Sequence, residues 1–261
     1  MIHQETVWLF RAALEPISFR NGIRYGFNFD MFGGKAPTPV YMGQDQISKQ
    51  TARGLEQRYY ERDLAKVGRV ISIETRRKDE NRKENVYVLA QMINNAQLLV
   101  FNLFSTDNRW ENIDLNEAPI LFCTYVTRQF IGYSNVYIQD IEPLKNYEPP
   151  KYQIDTFNPV VRKVRLWEGS KDEKEILILG EGGGRLIEGD INGPVIMPFI
   201  PFTDNETIDK YELTDVRIYS EFNERLYLCY KFGRNVDPMK DLVFNRPIPL
   251  EYKEYIDIIS S

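Results

Sequence analysis

Cations and aromatic rings interleave along one stretch of this chain, and that combination has a chemistry. Arg76, Arg77, Lys78, Arg82 and Lys83 crowd together, with Arg69 before them and Arg128 well after. Tyr87, Phe101, Tyr125, Phe130, Tyr133 and Tyr137 follow at intervals. A single nucleic-acid strand binds to such a set by stacking its bases on exposed rings, each worth about 1–3 kcal/mol, while cations track its phosphates. The candidate contacts are therefore Arg69, Arg76, Arg77, Lys78, Arg82, Lys83, Tyr87, Phe101, Tyr125, Arg128 and Tyr137. Glu74, Asp79, Glu80 and Glu84 stand among the cations and nearly cancel their charge. A solvated mixed-charge hairpin is the competing reading, and strand alternation would turn half of the rings inward.

Other chemistry is poorly provided for. Gly180-Glu181-Gly182-Gly183-Gly184 invites a phosphate-loop reading, but no Gly-Lys-Ser/Thr follows. Arg185-Leu186-Ile187-Glu188 comes next and reads as a strand, so the glycines read as a turn. The one histidine, His3, sits near the start, which leaves no histidine triad or metal cluster. Asp204, Glu206 and Asp209 lack a calcium-loop pattern and read as a solvated loop. Cys123 and Cys229 fall in apparent strands and read as buried thiols. The expectation is a protein with no catalytic residues, no metal and no cofactor.

The elements that would position the rings and cations are strands. Val67, Val70, Ile71 and Ile73 begin one, and the polar run 74–85 forms its hairpin. Residues 86–93 make a second strand, Asn94-Asn95 a turn and 97–104 a third strand. Residues 105–118 are irregular and polar, anchored by Trp110, Ile113 and Leu115. Residues 119–126 make the fourth strand and 136–141 the fifth. Five strands with a charged first hairpin and an irregular segment before the fourth suggest an OB-fold barrel over 67–146.

Within this stretch, Lys66-Val67-Gly68-Arg69-Val70 opens a strand, and the basic groups Arg76-Arg77-Lys78 and Arg82-Lys83 follow. Val100-Phe101 ends a strand, and Ile141-Glu142-Pro143-Leu144 closes the run. In this order the motifs resemble the OB domain of bacterial replicative DNA polymerase α subunits. The resemblance implies an OB-fold that grips single-stranded nucleic acid. Two departures stand out: the hairpin tip has no Gly, and Gln91-Met92-Ile93 replaces a Leu-x-Asp.

The rest of the chain reads as flanking structure. Residues 1–42 look like β structure turning at Asn21-Gly22, and 42–66 is a helix whose apolar stripe includes Ile47 and Leu55. Together, 1–66 would pack on the barrel as hairpin and helix. Residues 147–156, with Pro149-Pro150, read as a linker. Residues 157–261 read as a second β module, a small barrel or sandwich. Its strands are expected at 160–167, 175–179, 185–188, 195–199, 215–220 and 225–232, with a helical tail at 251–259.

Composition sets outer limits. The 261 residues are 43% hydrophobic, enough for real cores, and carry a net charge of −5. That charge opposes nonspecific duplex binding, although a local basic groove acts within about 10 Å. There is no signal-peptide pattern and no apolar run near 18 residues, so the expectation is a cytoplasmic protein, or host-cytoplasmic if viral, without a membrane partner. The fold class expected is mostly β with minor α+β content. The expected function is single-stranded DNA or RNA binding as an accessory in replication, recombination or repair. The alternative is a non-enzymatic assembly subunit of a phage particle or large complex, its barrel a protein-interaction scaffold. In either case the acidic C-terminal half would contact a protein partner.

Overall fold

The computed structural model describes residues 64, 66–76, 84–156, 160–180 and 182–261. The strand and helix expected over 1–63, and the hairpin tip with Arg77, Lys78, Arg82 and Lys83, lie outside the described residues. All described residues belong to one compact unit spanning Gln57–Ser261.

The fold is mostly β, and its centre is a curled, half-barrel sheet. Four consecutive antiparallel strands form most of it: β1 (Val70–Arg76), β2 (Val86–Met92), β3 (Gln97–Ser105) and β4 (Ile120–Val126). A short helix, α1 (Arg128–Tyr133), leads to β5 (Val136–Ile138), which returns to the free side of β1. Five strands were expected here and five occur. Their pairing is another matter. The fourth strand stays beside the third, and the fifth lies beside the first. A Greek-key arrangement would bring the fourth back to the first. Asn94 makes the β2–β3 turn with its side chain, accepting from the amides of Ala96 (2.9 Å) and Gln97 (2.8 Å).

Residues 147–156, expected as a linker, contain β6 (Tyr152–Asp155). It joins β9 (Gly184–Glu188) and β10 (Val195–Ile200) in a three-stranded sheet, β10-β9-β6. A separate hairpin pairs β7 (Val161–Leu166) with β8 (Lys174–Leu179). The expected strand at 215–220 shrinks to β11 (Val216–Arg217). It pairs in parallel with β4 and so becomes the far edge of the curled sheet.

Residues 225–232, expected as a strand, are helical. They form the end of α3 (Glu221–Phe232), which follows a short α2 (Asn205–Lys210). The aromatic and β-type residues suggested a strand, but helical spacing decides the outcome. Phe222, Leu226 and Cys229 fall on one face and are fully buried. Glu221 and Glu224 favour the N-terminal dipole and Lys231 the C-terminal one. Gly233 ends the helix in the left-handed region, at φ 64°. Two more helices close the chain, α4 (Pro238–Val243) and α5 (Lys253–Ile259), the latter introduced by a 3-10 turn at Leu250–Tyr252. This matches the expected tail, with Tyr252, Tyr255 and Ile256 buried.

One core cluster explains the architecture. Ile71, Ile73, Val88, Ala90, Met92, Leu98, Val100 and Phe122 on one face of the curled sheet meet Phe222, Leu226 and Cys229 of α3 and Tyr255 and Ile256 of α5. The opposite face, Val70, Leu89, Leu99, Phe101 and Cys123, is covered by Leu115, Trp110 and Ile113 and by Ile141, Leu144 and Tyr147. Polar clamps fix that cover. Gln91 exchanges two hydrogen bonds with the Leu144 backbone, at 3.0 and 2.8 Å. Asn108 accepts from Gln139 and from the Trp110 indole, at 3.2 and 3.1 Å. Both sheet faces are thus filled by the chain itself.

Phe222→Ala would leave a cavity between helix and sheet and cost about 3–5 kcal/mol. Leu177→Ala, on the exposed side of β8, is expected to change stability by less than about 0.5 kcal/mol. Urea midpoints of the two variants check this contrast.

Candidate nucleic-acid interface

Among the described residues, those expected to hold a single strand do not gather in one groove. Arg69 is half-buried just before β1, and Arg76 ends the same strand. Seven residue steps at about 3.3 Å per residue separate their backbones by roughly 20 Å. Arg128 opens α1, beyond the far side of the sheet.

The rings divide further. Phe101 and Phe130 have no exposure to solvent, so neither can stack on a base. Phe101 faces the loop-covered side of the sheet, and Phe130 packs edge-on against Phe222, with centroids 5.0 Å apart. Tyr87 is 9% exposed; it lies edge-on to Tyr137 at 6.2 Å and accepts from Asn85 Nδ2 at 3.1 Å. Tyr125 is half-buried on β4, and burial raises its hydroxyl above the usual range. Tyr137 is 38% exposed on β5, with three strands between it and Tyr125.

A different surface holds the most exposed tyrosine among the described residues. Tyr133, at the end of α1, meets Tyr219, just after β11, with centroids 6.2 Å apart. These rings border a groove of about 570 Å³ that Glu74, Asn135, Asn223 and Glu254 also line. The groove forms where α1 bridges the two edges of the curled sheet. The Thr127 amide donates to the Arg217 carbonyl at 3.0 Å, and the Glu74 amide donates to the Asn135 carbonyl at 2.9 Å. Asn223 of α3 joins the same corner. It accepts from Ser134 Oγ at 2.9 Å and donates to the Glu74 carbonyl at 2.9 Å. Sequence reasoning named Tyr133 but not Tyr219, because two residues so far apart meet only once the sheet curls.

Sequence reasoning also missed a buried charge cluster. Arg225 is fully buried, and its Nη2 reaches Glu212 Oε2 at 2.7 Å. Its Nε donates to the Val236 carbonyl at 3.0 Å, and its guanidinium lies 4.0 Å from the centre of the Phe122 ring. Asp237 pairs with Arg225 at 3.3 Å and with Arg217, which also reaches Glu221 at 3.2 Å. Tyr255 donates to Glu221, and Lys240 lies 3.9 Å from Glu212. Burial works against a charged Asp237, but Arg217 and Arg225 outweigh it and hold the carboxyl below its usual range. Three cations then face three carboxylates. The half-buried Asp215 is a fourth, and burial pushes it up to about 6 despite the pull of Arg217. Helical and loop contacts assemble this cluster from distant residues, so no local motif announced it.

Both thiols are buried as expected, but Cys229 lies on the helix α3 rather than on a strand. Cys123 and Cys229 are free and buried, and burial pushes them up to about 12 and about 11. At neutral pH both are protonated and weak nucleophiles. Among the described residues, no group of acidic, histidine or cysteine side chains is arranged to hold a metal ion. No helix among them is long and apolar enough to cross a membrane.

Residues 62–247 match the family described as a domain of unknown function, DUF8309. The chain belongs to the DUF8309 family. No curated protein and no solved structure matches it. The DUF8309 match runs from just before the curled sheet to just past α4. It therefore takes in Glu212, Arg217, Arg225 and Asp237, and leaves α5 outside.

The charge cluster makes two predictions. Asp237→Asn leaves two buried guanidinium groups short of a counter-charge and is expected to cost about 3–5 kcal/mol. Lys163→Ala, which breaks the exposed pair with Glu175, is expected to cost less than about 1 kcal/mol. Chemical denaturation compares them. Asp215 gives the second. Its folded pKa lies above its unfolded one, so its ionisation weakens the fold as pH rises through about 6. The natural chain is expected to gain stability on going from pH 8 to pH 5.5, and Asp215→Asn to lose most of that gain. Below about pH 4, protonation of Asp237 and Glu212 removes stability in both. Urea midpoints across this range provide the measurement.

Proposed function

We propose that this chain is a non-enzymatic assembly subunit, a scaffold within a phage particle or another large complex, that works through protein contacts. The observation that carries this reading is the filling of both faces of the curled sheet by the chain's own residues. A single-strand groove needs rings open to the bases. Here Phe101 and Phe130 lie in the core, Tyr87 is nearly covered, Arg69 and Arg76 stand at opposite ends of β1, and Arg128 opens α1. The remaining exposed apolar side chains suit contact with protein better than contact with phosphate.

Single-stranded nucleic-acid binding is the second reading. The observation favouring it is the exposed Tyr133–Tyr219 pair beside a groove. Fluorescence anisotropy with labelled oligo-dT of about 30 nucleotides separates the two readings. An assembly subunit gives no saturable binding even at low salt. Micromolar binding that weakens as salt rises, and weakens again in Tyr133→Ala, would overturn the assembly reading in favour of the second.

A further inference from the structure

Eight consecutive apolar residues, Val195-Ile196-Met197-Pro198-Phe199-Ile200-Pro201-Phe202, make up β10 and the turn that follows it. A soluble surface rarely exposes such a run unless another molecule covers it. Of the eight, Ile200 alone is buried; Val195, Ile196, Phe199 and Phe202 are 45%, 49%, 59% and 39% exposed.

The run is held as a ridge. β10 pairs with β9 and is an edge strand of its sheet. Phe199 and Phe202 rest on a floor of glycine backbone. A Cβ added at Gly182 would come within 2.8 Å of the Phe202 ring, and one at Gly183 within 3.5 Å of Phe199. Gly182 and Gly183 also have φ of 94° and 93°, which disfavours any other residue there. The strand edge is a poor template for a long ladder. Pro198 lacks an amide hydrogen, and the pairing with β9 shifts register twice. Recognition therefore falls to the side chains.

Charge selects the occupant. Between Leu186 and Asp209 the chain carries Glu188, Asp190, Asp204, Glu206 and Asp209, and no Lys or Arg. Lys151 pairs with Glu188 and Arg246 with Asp209. Asp190 before the ridge, and Asp204 and Glu206 after it, make no ion pair among the described residues. Two copies joined antiparallel at this edge would set Asp190 of one against Asp204 and Glu206 of the other, which repel. A basic partner would meet attraction at both ends.

We propose that residues 195–202 form the docking ridge for a different protein, one presenting an apolar segment flanked on both sides by Lys or Arg. The proposal rests on the assembly reading above and gives that reading its partner chemistry.

A selection from a random 12-residue peptide library tests it, with the full chain as bait and an Ile196→Ser/Phe199→Ser variant as counter-bait. Both substitutions are on the surface, and an unchanged circular dichroism melt shows that the variant folds. The expected result is enrichment of peptides with an apolar centre and basic flanks. Their affinity should fall at least tenfold in the variant and fall with added salt. Failure to enrich any peptide, enrichment without basic flanks, or equal binding to the variant would overturn the ridge. Sedimentation of the chain alone supplies a further outcome: a dimer that Ile196→Ser/Phe199→Ser dissolves would identify a second copy as the occupant and overturn the proposed partner. None of these failures touches the assembly reading, which falls only if the oligo-dT binds.

Discussion

Asp237 pairs with two arginines that have almost no access to water, Arg217 on β11 and Arg225 on α3. The rest of the fold depends on that arrangement. Arg217 fixes the strand that completes the curled sheet, and Arg225 fixes the helix that fills it. Asp237 also caps α4, accepting from the amides of Met239 and Lys240. One carboxylate thereby ties sheet edge, central helix and following helix together. Buried ion pairs seldom add stability over a well-packed apolar replacement, but losing one partner is expensive. The cluster acts less as a source of stability than as a constraint on how these elements meet.

Given that constraint, the sheet has little surface left to offer. Its inner face wraps α3, and its outer face is sealed by residues 105–118 and 139–147. Exposed rings and apolar side chains are instead found at rims and edges: the Tyr133–Tyr219 corner and the apolar ridge of β10. The ridge departs from ordinary burial on both sides of its strand, whereas β2 buries every residue and β3 its first five.

Much of this was legible in the residues. Apolar runs bounded by Asn, Gly and Pro marked β1 to β4 and β7 to β10 to within a few positions, because strand burial and turn chemistry are local. The tail helix was legible in the spacing of Tyr252, Tyr255 and Ile256. The helix at 221–232 was not, since Leu226-Tyr227-Leu228-Cys229-Tyr230 has strand-like composition and only its packing partner selects the helical face. Pro149-Pro150 suggested a linker, but the residues just after them pair with β9. The candidate site fared less well. Alternation did not reveal that the chain's own loops would cover the second face and bury Phe101, and the Glu212–Arg225–Asp237 cluster forms only through long-range contacts.

The central claim is that the curled sheet and the C-terminal helices form one cooperative unit built around α3. Native-state hydrogen exchange on the full chain tests it most directly, reading the amides of β2, β3 and α3 against the global unfolding free energy. The account predicts that all three exchange only through global unfolding, with equal free energies that fall together in Asp237→Asn. Exchange of α3 well before the sheet, with the sheet's protection unchanged in that variant, would contradict it.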